Sequence, residues 1–200
     1  MSSMREKIEA WKAHVREVSS DPAFVHHEWF VRWHLEIVER IALELCEKYP
    51  VADRELVEVM VWLHDYGKAL DFENQYAKTI SSGRAKLTEM GFTSDFVERA
   101  LSGIETMDKK MELDLHEAPL EVQIVASADG CSHMVGPFLS LYWREHPELS
   151  TEELMAANRA KLEKDWNRKI TLPEAKGAFS VHYVHLIRQS SNLASSYLNT

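Results

Sequence analysis

The chain has 200 residues, 45% of them hydrophobic, and a formal net charge of −9 at pH 7. That length is ample for one domain with a sizeable core and marginal for two, so we expect a single domain over residues 1–200. Because no cluster of lysine and arginine outweighs the acidic balance, binding to a nucleic-acid polymer is not expected. The charged N-terminus and the lack of a long apolar stretch argue against a signal peptide and a membrane span, which favours a cytoplasmic location.

Helical periodicity predicts an all-α fold. Residues 4–19 have the pattern of an amphipathic first helix. Asp21-Pro22 offers an N-cap and a proline at the first helical position, which predicts a second helix from there to about Lys48. A third helix is expected from about Ala52 to Tyr66, with Gly67 as its terminator. Its apolar residues cover most of its circumference, which predicts the central buried helix.

The second half of the chain is also predicted to be helical. The expected elements are helices at about 73–90 and 94–107 separated by Gly91, a polar loop at 108–118, and an apolar helix from Pro119 to about Val135 that resumes after Gly136-Pro137 to about Glu145. Ser150–Glu153 and Thr171–Glu174 have the pattern of capping boxes and predict the starts of the last two helices. We expect these C-terminal helices, over 150–200, to pack on a core at about 24–135. Cys46 and Cys131 fall in predicted helices and are expected to be buried thiols.

Three of the most apolar segments are interrupted by residues of metal-binding type. His34 lies on the hydrophobic face of the second helix, His64-Asp65 closes the apolar run of the third, and Asp129 interrupts the helix that begins at Pro119. A buried carboxylate is costly unless a charge compensates it, and one divalent cation bound by these four side chains accounts for all three interruptions. Two imidazoles and two carboxylates form a mixed nitrogen and oxygen set, which suits a divalent transition ion or Mn²⁺. An octahedral ion would keep two positions open, which favours catalysis.

These residues carry a family resemblance. His34, then His64-Asp65-Tyr-Gly67-Lys68, then Ala128-Asp129 resembles the H…HD…D signature of the HD-domain metal-dependent phosphohydrolases. The resemblance implies a helical fold around a metal, hydrolysis of phosphate esters that are often nucleotides, and His34, His64, Asp65 and Asp129 as the metal ligands. It also matches Lys68 to a lysine that lies near the substrate phosphate. The implied cofactor is one divalent ion, and Mn²⁺, Fe²⁺, Zn²⁺, Ni²⁺, Co²⁺ and Mg²⁺ are all compatible with the ligand set.

The same resemblance bears on the number of metals. Family members with two metals, and the oxygenases built on this scaffold, have additional histidines between the HD pair and the final aspartate. Here Glu105 stands roughly where one of them is expected, and His116 is the only histidine in that interval. We therefore expect one metal rather than two.

Four further residues are candidates for catalysis or substrate binding. Lys68 follows the HD pair by one helical turn, and His133 follows Asp129 by one turn on the same face. Arg84 is a candidate phosphate contact on the connection after the motif. Lys169 precedes the final helix, where resembling proteins place a basic residue over the pocket.

The leading hypothesis is a metal-dependent phosphohydrolase that acts on a small phosphorylated molecule such as a nucleotide. Asp65, Lys68 and His133 are its expected catalytic residues, and Lys68, Arg84 and Lys169 its expected substrate contacts. Two alternatives stay open. The same ligands suit a non-catalytic, metal-stabilised sensor or interaction module, and the same scaffold can serve a non-haem iron oxygenase.

Overall fold

The computed structural model describes residues 3–191, and every regular element in that range is a helix. The helices are α1 Met4–Ser19, α2 Glu36–Lys48, α3 Arg54–Leu63, α4 Tyr66–Leu70, α5 Gln75–Glu89, α6 Ser94–Asp108, α7 Leu120–Ser132, α8 Phe138–Glu145, α9 Thr151–Lys164 and α10 Pro173–Gln189. Two π-helical segments, π1 at Val31–Leu35 and π2 at Asp165–Lys169, run directly into α2 and directly out of α9. A 3₁₀ turn spans Leu115–Glu117. The predicted all-α class is confirmed.

Helix α3 forms the centre of the fold, as its composition predicts. Every residue from Leu56 to Leu63 is buried, and the helix packs against α1, α2, α6 and α7. Helix α7 is similarly enclosed, because every residue from Ile124 to Ser132 is buried. A helix that is apolar around its whole circumference loses contact with water only when neighbours surround it. Residues that follow or interrupt these two helices are therefore brought to the interior.

One acidic residue of α3, Glu58, is buried in a network of ion pairs. Its carboxylate accepts hydrogen bonds from Lys12 Nζ at 2.6 Å and from the Arg5 guanidinium at 2.8 Å and 3.0 Å. Lys12 Nζ also lies 2.5 Å from Glu39 of α2. Burial alone would raise the pKa of Glu58, but Lys12 and Arg5 hold it below its ordinary value. The network fastens α1 to α2 and α3.

The second helix begins later than predicted. Residues 20–29 form a succession of turns, and the helical run starts only at Phe30 and π1. The Asp21 side chain accepts a hydrogen bond from the Ala23 N–H at 2.8 Å, which closes a local turn instead of capping a long helix. Phe24 and Phe30 are both buried with ring centroids 5.1 Å apart, so tertiary packing of the two rings overrides the local helix signal.

Gly67 is not the terminator that the sequence predicts. Helix α3 ends at Leu63, residues 64 and 65 form a turn, and Gly67 lies inside α4. Its N–H donates to Thr79 Oγ1 at 2.9 Å, and a Cβ at this position would lie 1.9 Å from the Gln75 carbonyl oxygen. Glycine is therefore required by the close approach of α4 to α5.

The predicted capping boxes have different outcomes. The box at Ser150–Glu153 is present and begins α9. The one at Thr171 is wrong, since Leu172 is the N-cap of α10 and no side chain caps it. Thr171 instead donates its N–H to Ser127 Oγ of α7 at 3.1 Å, which fastens the final helix to the core.

The remaining sequence expectations concern two glycines, the end of α7, the cysteines, membrane spans and the C-terminal region. Gly91 and Gly136 adopt positive φ angles of 79° and 60° where breaks are predicted. Helix α7 ends at Ser132, three residues before its predicted end. Both cysteines are buried and unpaired. Between residues 3 and 191, none of the helices has the length and hydropathy that crossing a bilayer requires. The last part of the predicted C-terminal region, 192–200, lies outside the described residues.

Candidate metal centre

The four predicted ligands meet at one point. His34 lies on π1, His64 and Asp65 on the turn after α3, and Asp129 on α7. His34 Nε2 lies 3.2 Å from His64 Nε2, 3.3 Å from Asp65 Oδ2 and 3.8 Å from Asp129 Oδ1. His64 Nε2 lies 3.6 Å from Asp65 Oδ2 and 3.8 Å from Asp129 Oδ1. Ligand atoms that share an ion at about 2 Å lie about 3 to 4 Å apart, so these spacings fit one ion.

Hydrogen bonds on the far side of each imidazole orient both histidines toward the cluster. His64 Nδ1 lies 2.7 Å from the Val61 carbonyl oxygen, which only accepts, so Nδ1 is the protonated nitrogen and Nε2 faces the cluster with its lone pair. The Ser132 hydroxyl donates to the Asp129 carbonyl at 2.7 Å, so it accepts from His34 Nδ1 at 3.2 Å. This outer hydrogen bond is typical of histidines that bind metals.

The side chains at the centre therefore present acceptors to one another. Two imidazole lone pairs and two carboxylates crowd into a buried space, which is costly unless a cation lies among them. Burial lowers the pKa of His34, which keeps its imidazole neutral. This donor set and these protonation states are the ones that a divalent ion requires. The residues present thus fit a bound divalent metal.

Basic neighbours keep both carboxyl groups ionised. Burial alone would raise the pKa of Asp65, but Lys68, whose Nζ lies 2.6 Å from Asp65 Oδ2, holds it well below its usual range. Burial acts in the same direction on Asp129, where the ion pair with Lys169 holds the pKa well below its usual range. Both aspartates are anionic at neutral pH.

A second layer of buried polar groups supports Asp129. His133 Nε2 lies 3.3 Å from Asp129 Oδ1, and His133 Nδ1 lies 2.8 Å from Oδ2 of the fully buried Asp165. Lys161 Nζ lies 3.0 Å from the same oxygen of Asp165. Burial, reinforced by Lys161, lowers the pKa of His133 to about 3, and burial, reinforced by Lys169, lowers the pKa of Lys161 to about 8. His34, Asp129 and His133 also lie close enough together to bind an ion, so His133 adjoins the metal-binding set.

Two cavities open on this centre. The first has a volume of about 400 Å³ and reaches His34, Asp65 and His133. The second has a volume of about 350 Å³ and reaches His64, Asp65 and Asp129. Residues shared by both cavities are Asp65, Lys68, Lys161 and Lys164. The cluster therefore lies where two cavities meet, and it is not sealed by side chains.

The two cavities differ in their walls. The first has an apolar wall, formed by Trp29, Phe30, Phe138, Leu139 and Tyr142. The second is more polar and adds Lys110 and Lys169 to the three lysines that both cavities share. Five lysines thus surround the centre of a chain whose net charge is −9. A concave site lined by cations concentrates small anions.

The structure brings most of the predicted site residues together. Lys68, His133 and Lys169 all lie at the centre, beside the predicted ligands. Arg84 lies on α5, where its exposed side chain pairs with Glu98 of α6, and it lines neither cavity. The structure therefore does not bring Arg84 to the cluster.

Two residues of the site, Lys161 and Asp165, were not predicted from the sequence. Together with the predicted Lys169 they follow one another at four-residue spacing, which places three charged side chains on one helical face. That spacing was an available signal, because a carboxylate flanked by two lysines at this interval predicts a paired buried acid. The aromatic wall had no comparable signal, since Trp29 and Phe138 are far apart along the chain.

Comparison with known proteins agrees with this geometry. Between residues 3 and 191 the regular structure is entirely helical, and it encloses a cluster of histidine and aspartate that is a candidate metal site. The model of the HD domain family matches residues 32–134, which is more than half of the chain and includes all four predicted ligands. The chain therefore belongs to the HD domain family. No curated protein and no solved structure matches it.

Proposed function

We propose that the protein is a metal-dependent phosphohydrolase that acts on a small phosphorylated molecule, with nucleotides as the first candidates. The observation that carries the proposal is the meeting of the His/Asp cluster with two lysine-lined cavities. His34, His64, Asp65 and Asp129, whose ligand atoms lie 3.2–3.8 Å from those of the two histidines, would hold one divalent ion, for which Mn²⁺, Fe²⁺, Zn²⁺, Ni²⁺, Co²⁺ and Mg²⁺ are the candidates. When bound, such an ion supplies Lewis acidity toward a phosphoryl oxygen and activates water.

The lysines around the centre would bind and polarise the phosphate. Lys68 lines both cavities, and its ammonium group lies 2.6 Å from Asp65, so a phosphate beside the ligands would meet it directly. Lys161 and Lys164 also line both cavities and face the same space. Preorganised cations of this kind stabilise charge that develops on the phosphoryl group. Lys169 already forms an ion pair with Asp129. We therefore assign Lys169 a supporting role in phosphate binding.

Asp65 and His133 are the proposed polar contacts of the reacting groups. Asp65 is an ionised carboxylate that both cavities reach, so it can accept a hydrogen bond from the attacking water as well as bind the ion. His133 lines the first cavity beside Asp129, and Asp165 fixes the orientation of its ring. Because Nδ1 donates to Asp165, Nε2 carries the lone pair, and we propose that it accepts a hydrogen bond from a hydroxyl of the substrate or from water.

The openness of the centre supports catalysis over a purely structural metal. A metal that serves only stability is enclosed by protein ligands, whereas a catalytic one keeps an accessible position. Here cavities of about 400 and 350 Å³ reach the ligands. The iron oxygenase alternative differs in its chemistry, because it consumes oxygen and depends on iron.

Phosphate release is the direct test. The protein, loaded in turn with each candidate ion, is assayed against mononucleotides, sugar phosphates and aryl phosphates, with oxygen consumption followed in parallel. We expect phosphate release from at least one ester and no oxygen uptake. Absence of phosphate release with every ion, from folded and metal-loaded protein, would contradict the proposal, and iron-dependent oxygen uptake would favour the oxygenase.

A matched pair of variants tests the role of Lys68. Lys68→Met is expected to keep the metal and to lower kcat/KM by about 10- to 100-fold, since it removes a cation from the phosphate site. Lys48→Met, at an exposed lysine near the end of α2, is expected to leave kcat/KM unchanged. Equal rates for the two variants would remove Lys68 from the mechanism.

A further inference from the structure

Glu145, the last residue of α8, lines the first cavity among otherwise aromatic neighbours. Its Oε1 atom accepts hydrogen bonds from Trp29 Nε1 at 2.7 Å and from His26 Nδ1 at 2.9 Å. Its side chain is only 16% exposed. Within residues 3–191, no donor is hydrogen-bonded to its other oxygen, Oε2. A largely buried carboxylate gains stability from further donors, so Oε2 offers an acceptor to whatever enters the cavity.

Glu145 lies at the far side of an aromatic wall from the metal centre. The Phe138 ring is 4.2 Å from the His133 ring and 5.9 Å from the His34 ring, between centroids. The same ring is 5.8 Å from Trp29, which in turn donates to Glu145. The rings of Phe138 and Trp29 therefore connect the cluster to the carboxylate in sequence along the cavity wall.

The first cavity thus has three zones along its length. Lys68, Lys161 and Lys164 with the ligand cluster form a cationic end. Trp29, Phe138 and Tyr142 form an aromatic middle, in which the rings of Trp29 and Phe138 meet edge to face. Glu145 forms an acceptor end. A ligand that satisfies all three zones has an anionic group, a flat apolar body and a hydrogen-bond donor, in that order.

We propose that Glu145 determines substrate specificity by selecting phosphate esters whose flat, apolar organic group carries an N–H or O–H donor at the end remote from the phosphate. The inference rests on the proposed function for the position of the phosphate, beside the cluster and its lysines. The aromatic side chains then contact the faces of the organic group, and its donor reaches Oε2 of Glu145. An ester with an anionic group at that end is rejected, because its charge would meet the largely buried carboxylate of Glu145.

The size of the discrimination follows from the chemistry of the acceptor. A hydrogen bond to a charged group contributes about 1.5–3 kcal/mol, and a partner that cannot make it leaves the carboxylate oxygen without a donor. A site built around such a bond discriminates against an analogue that lacks it more strongly than an apolar pocket discriminates by size. We therefore expect at least about a tenfold preference for the ester that carries the donor.

Two esters of equal size test the inference. 4-Aminophenyl phosphate carries a donor at the remote end, whereas 4-methylphenyl phosphate replaces it with a methyl group, and the two leaving phenols have similar acidity. The metal-loaded wild type should show a kcat/KM for the amino ester at least about tenfold higher. Glu145→Gln should bring this ratio close to one while the rate on the methyl ester changes little, because glutamine keeps an acceptor for Trp29 but presents an amide N–H to the cavity.

Glu28→Gln is the matched control. Glu28 is an exposed glutamate that pairs with Arg144 at 2.7 Å, and it does not line the cavity. This variant should keep the wild-type ratio. A wild-type ratio near one, or a ratio that Glu145→Gln leaves unchanged, would overturn the inference while the proposed hydrolysis stands.

Binding of unreactive analogues separates the inference from the proposed function. 4-Aminophenylphosphonate and 4-methylphenylphosphonate are titrated into the metal-loaded wild type by calorimetry. Tighter binding of the amino compound, lost in Glu145→Gln, supports the inference even if neither ester is hydrolysed, in which case only the hydrolase proposal fails. Equal binding of the two phosphonates to the wild type overturns the inference, whether or not the variant folds.

Discussion

The candidate metal-binding half of the site and the proposed substrate-facing half are built in different ways. Helix α7, which supplies Asp129, is buried at every residue from Ile124 to Ser132, whereas α8, which supplies the aromatic wall, has no buried residue. The two histidines are fixed by the packing of the core and by hydrogen bonds that they donate to the Val61 carbonyl and the Ser132 hydroxyl. The wall is fixed by ring contacts among the half-buried Trp29 and Phe138 and the buried Phe30. The chemistry therefore belongs to the rigid core, and specificity can change at the periphery without disturbing it.

Removal of one proposed ligand should have the largest effect on metal content and turnover, because the ligands form the metal-binding half of the site. His34→Ala deletes an imidazole that lies within 4 Å of all three other ligands. We expect bound metal to fall from about one ion per chain to a small fraction and kcat/KM to fall at least about 1,000-fold. Elemental analysis and phosphate release measure the two effects.

A variant of the substrate-facing half provides the contrast. Lys161→Met removes a cavity lysine that none of the four ligands contacts through an ion pair, so it should keep about one ion per chain while its turnover falls. Stoichiometric metal in purified His34→Ala would refute the four-ligand centre. Equal metal loss in both variants would show that the two halves are not independent.

A pair of glycine substitutions tests how little the core half can deform. In Gly67→Ala the new Cβ would lie 1.9 Å from a backbone oxygen of Gln75 and 2.6 Å from the backbone nitrogen of Thr79, beside the Asp65 ligand. Since backbone atoms cannot rotate away, we expect a loss of about 2–4 kcal/mol in the free energy of unfolding, measured by urea denaturation. A loss below about 0.5 kcal/mol would indicate that α4 moves freely against α5.

Gly177→Ala is the counterpart on the outer helix α10. No atom lies within 4 Å of the position that its Cβ would take, so the substitution should raise the free energy of unfolding by about 0.5–1 kcal/mol through helix propensity. Opposite signs for the two glycines would sharpen the contrast between core and periphery. A loss of stability at Gly177 would contradict the description of this face as open.

Acid should lower the free energy of unfolding by protonating Glu58, and we expect a smaller change than those caused by ligand removal or by Gly67→Ala. Lys12 and Arg5 hold the folded-state pKa of Glu58 below 4.5, its ordinary value. The ion pairs therefore contribute stability that is present above that pH and lost as the pH falls through the folded-state pKa. Wild-type stability should fall more steeply than that of Glu58→Gln as the pH is lowered from about 5 to 3, measured by urea midpoints. Parallel pH profiles would show that the buried pairs contribute nothing.

The proposed ligands were predictable in position because they interrupt or directly follow apolar helical runs. His34, Asp65 and Asp129 stand out in segments that are otherwise hydrophobic, and burial follows from that pattern alone. The class of fold followed from the same periodicity. Local patterns did fail where tertiary contacts decide, as at Asp21 and Thr171, whose polar groups form other hydrogen bonds.

The substrate-facing residues were less predictable because they come from separate parts of the chain. Glu145 lines the cavity and accepts hydrogen bonds from Trp29 and His26 across more than a hundred positions, and no periodicity encodes those contacts. Arg84 was chosen for its position after the motif, but the rotation of α5 directs it to Glu98 on the outside. The direction in which a cation points depends on how its helix is packed, which its spacing along the chain does not determine.

In the two π segments, the number of residues decides which side chains face the centre, as much as the identity of the residues does. His34 lies in π1 and Lys169 in π2, and in each the wider turn holds one residue more than an α-helical turn would. Removing one residue from π1 would restore regular winding and turn the side chains before it by about 100° relative to α2. Any alignment or redesign of this chain that assumes uninterrupted α-helical counting would consequently assign the wrong residue to the centre.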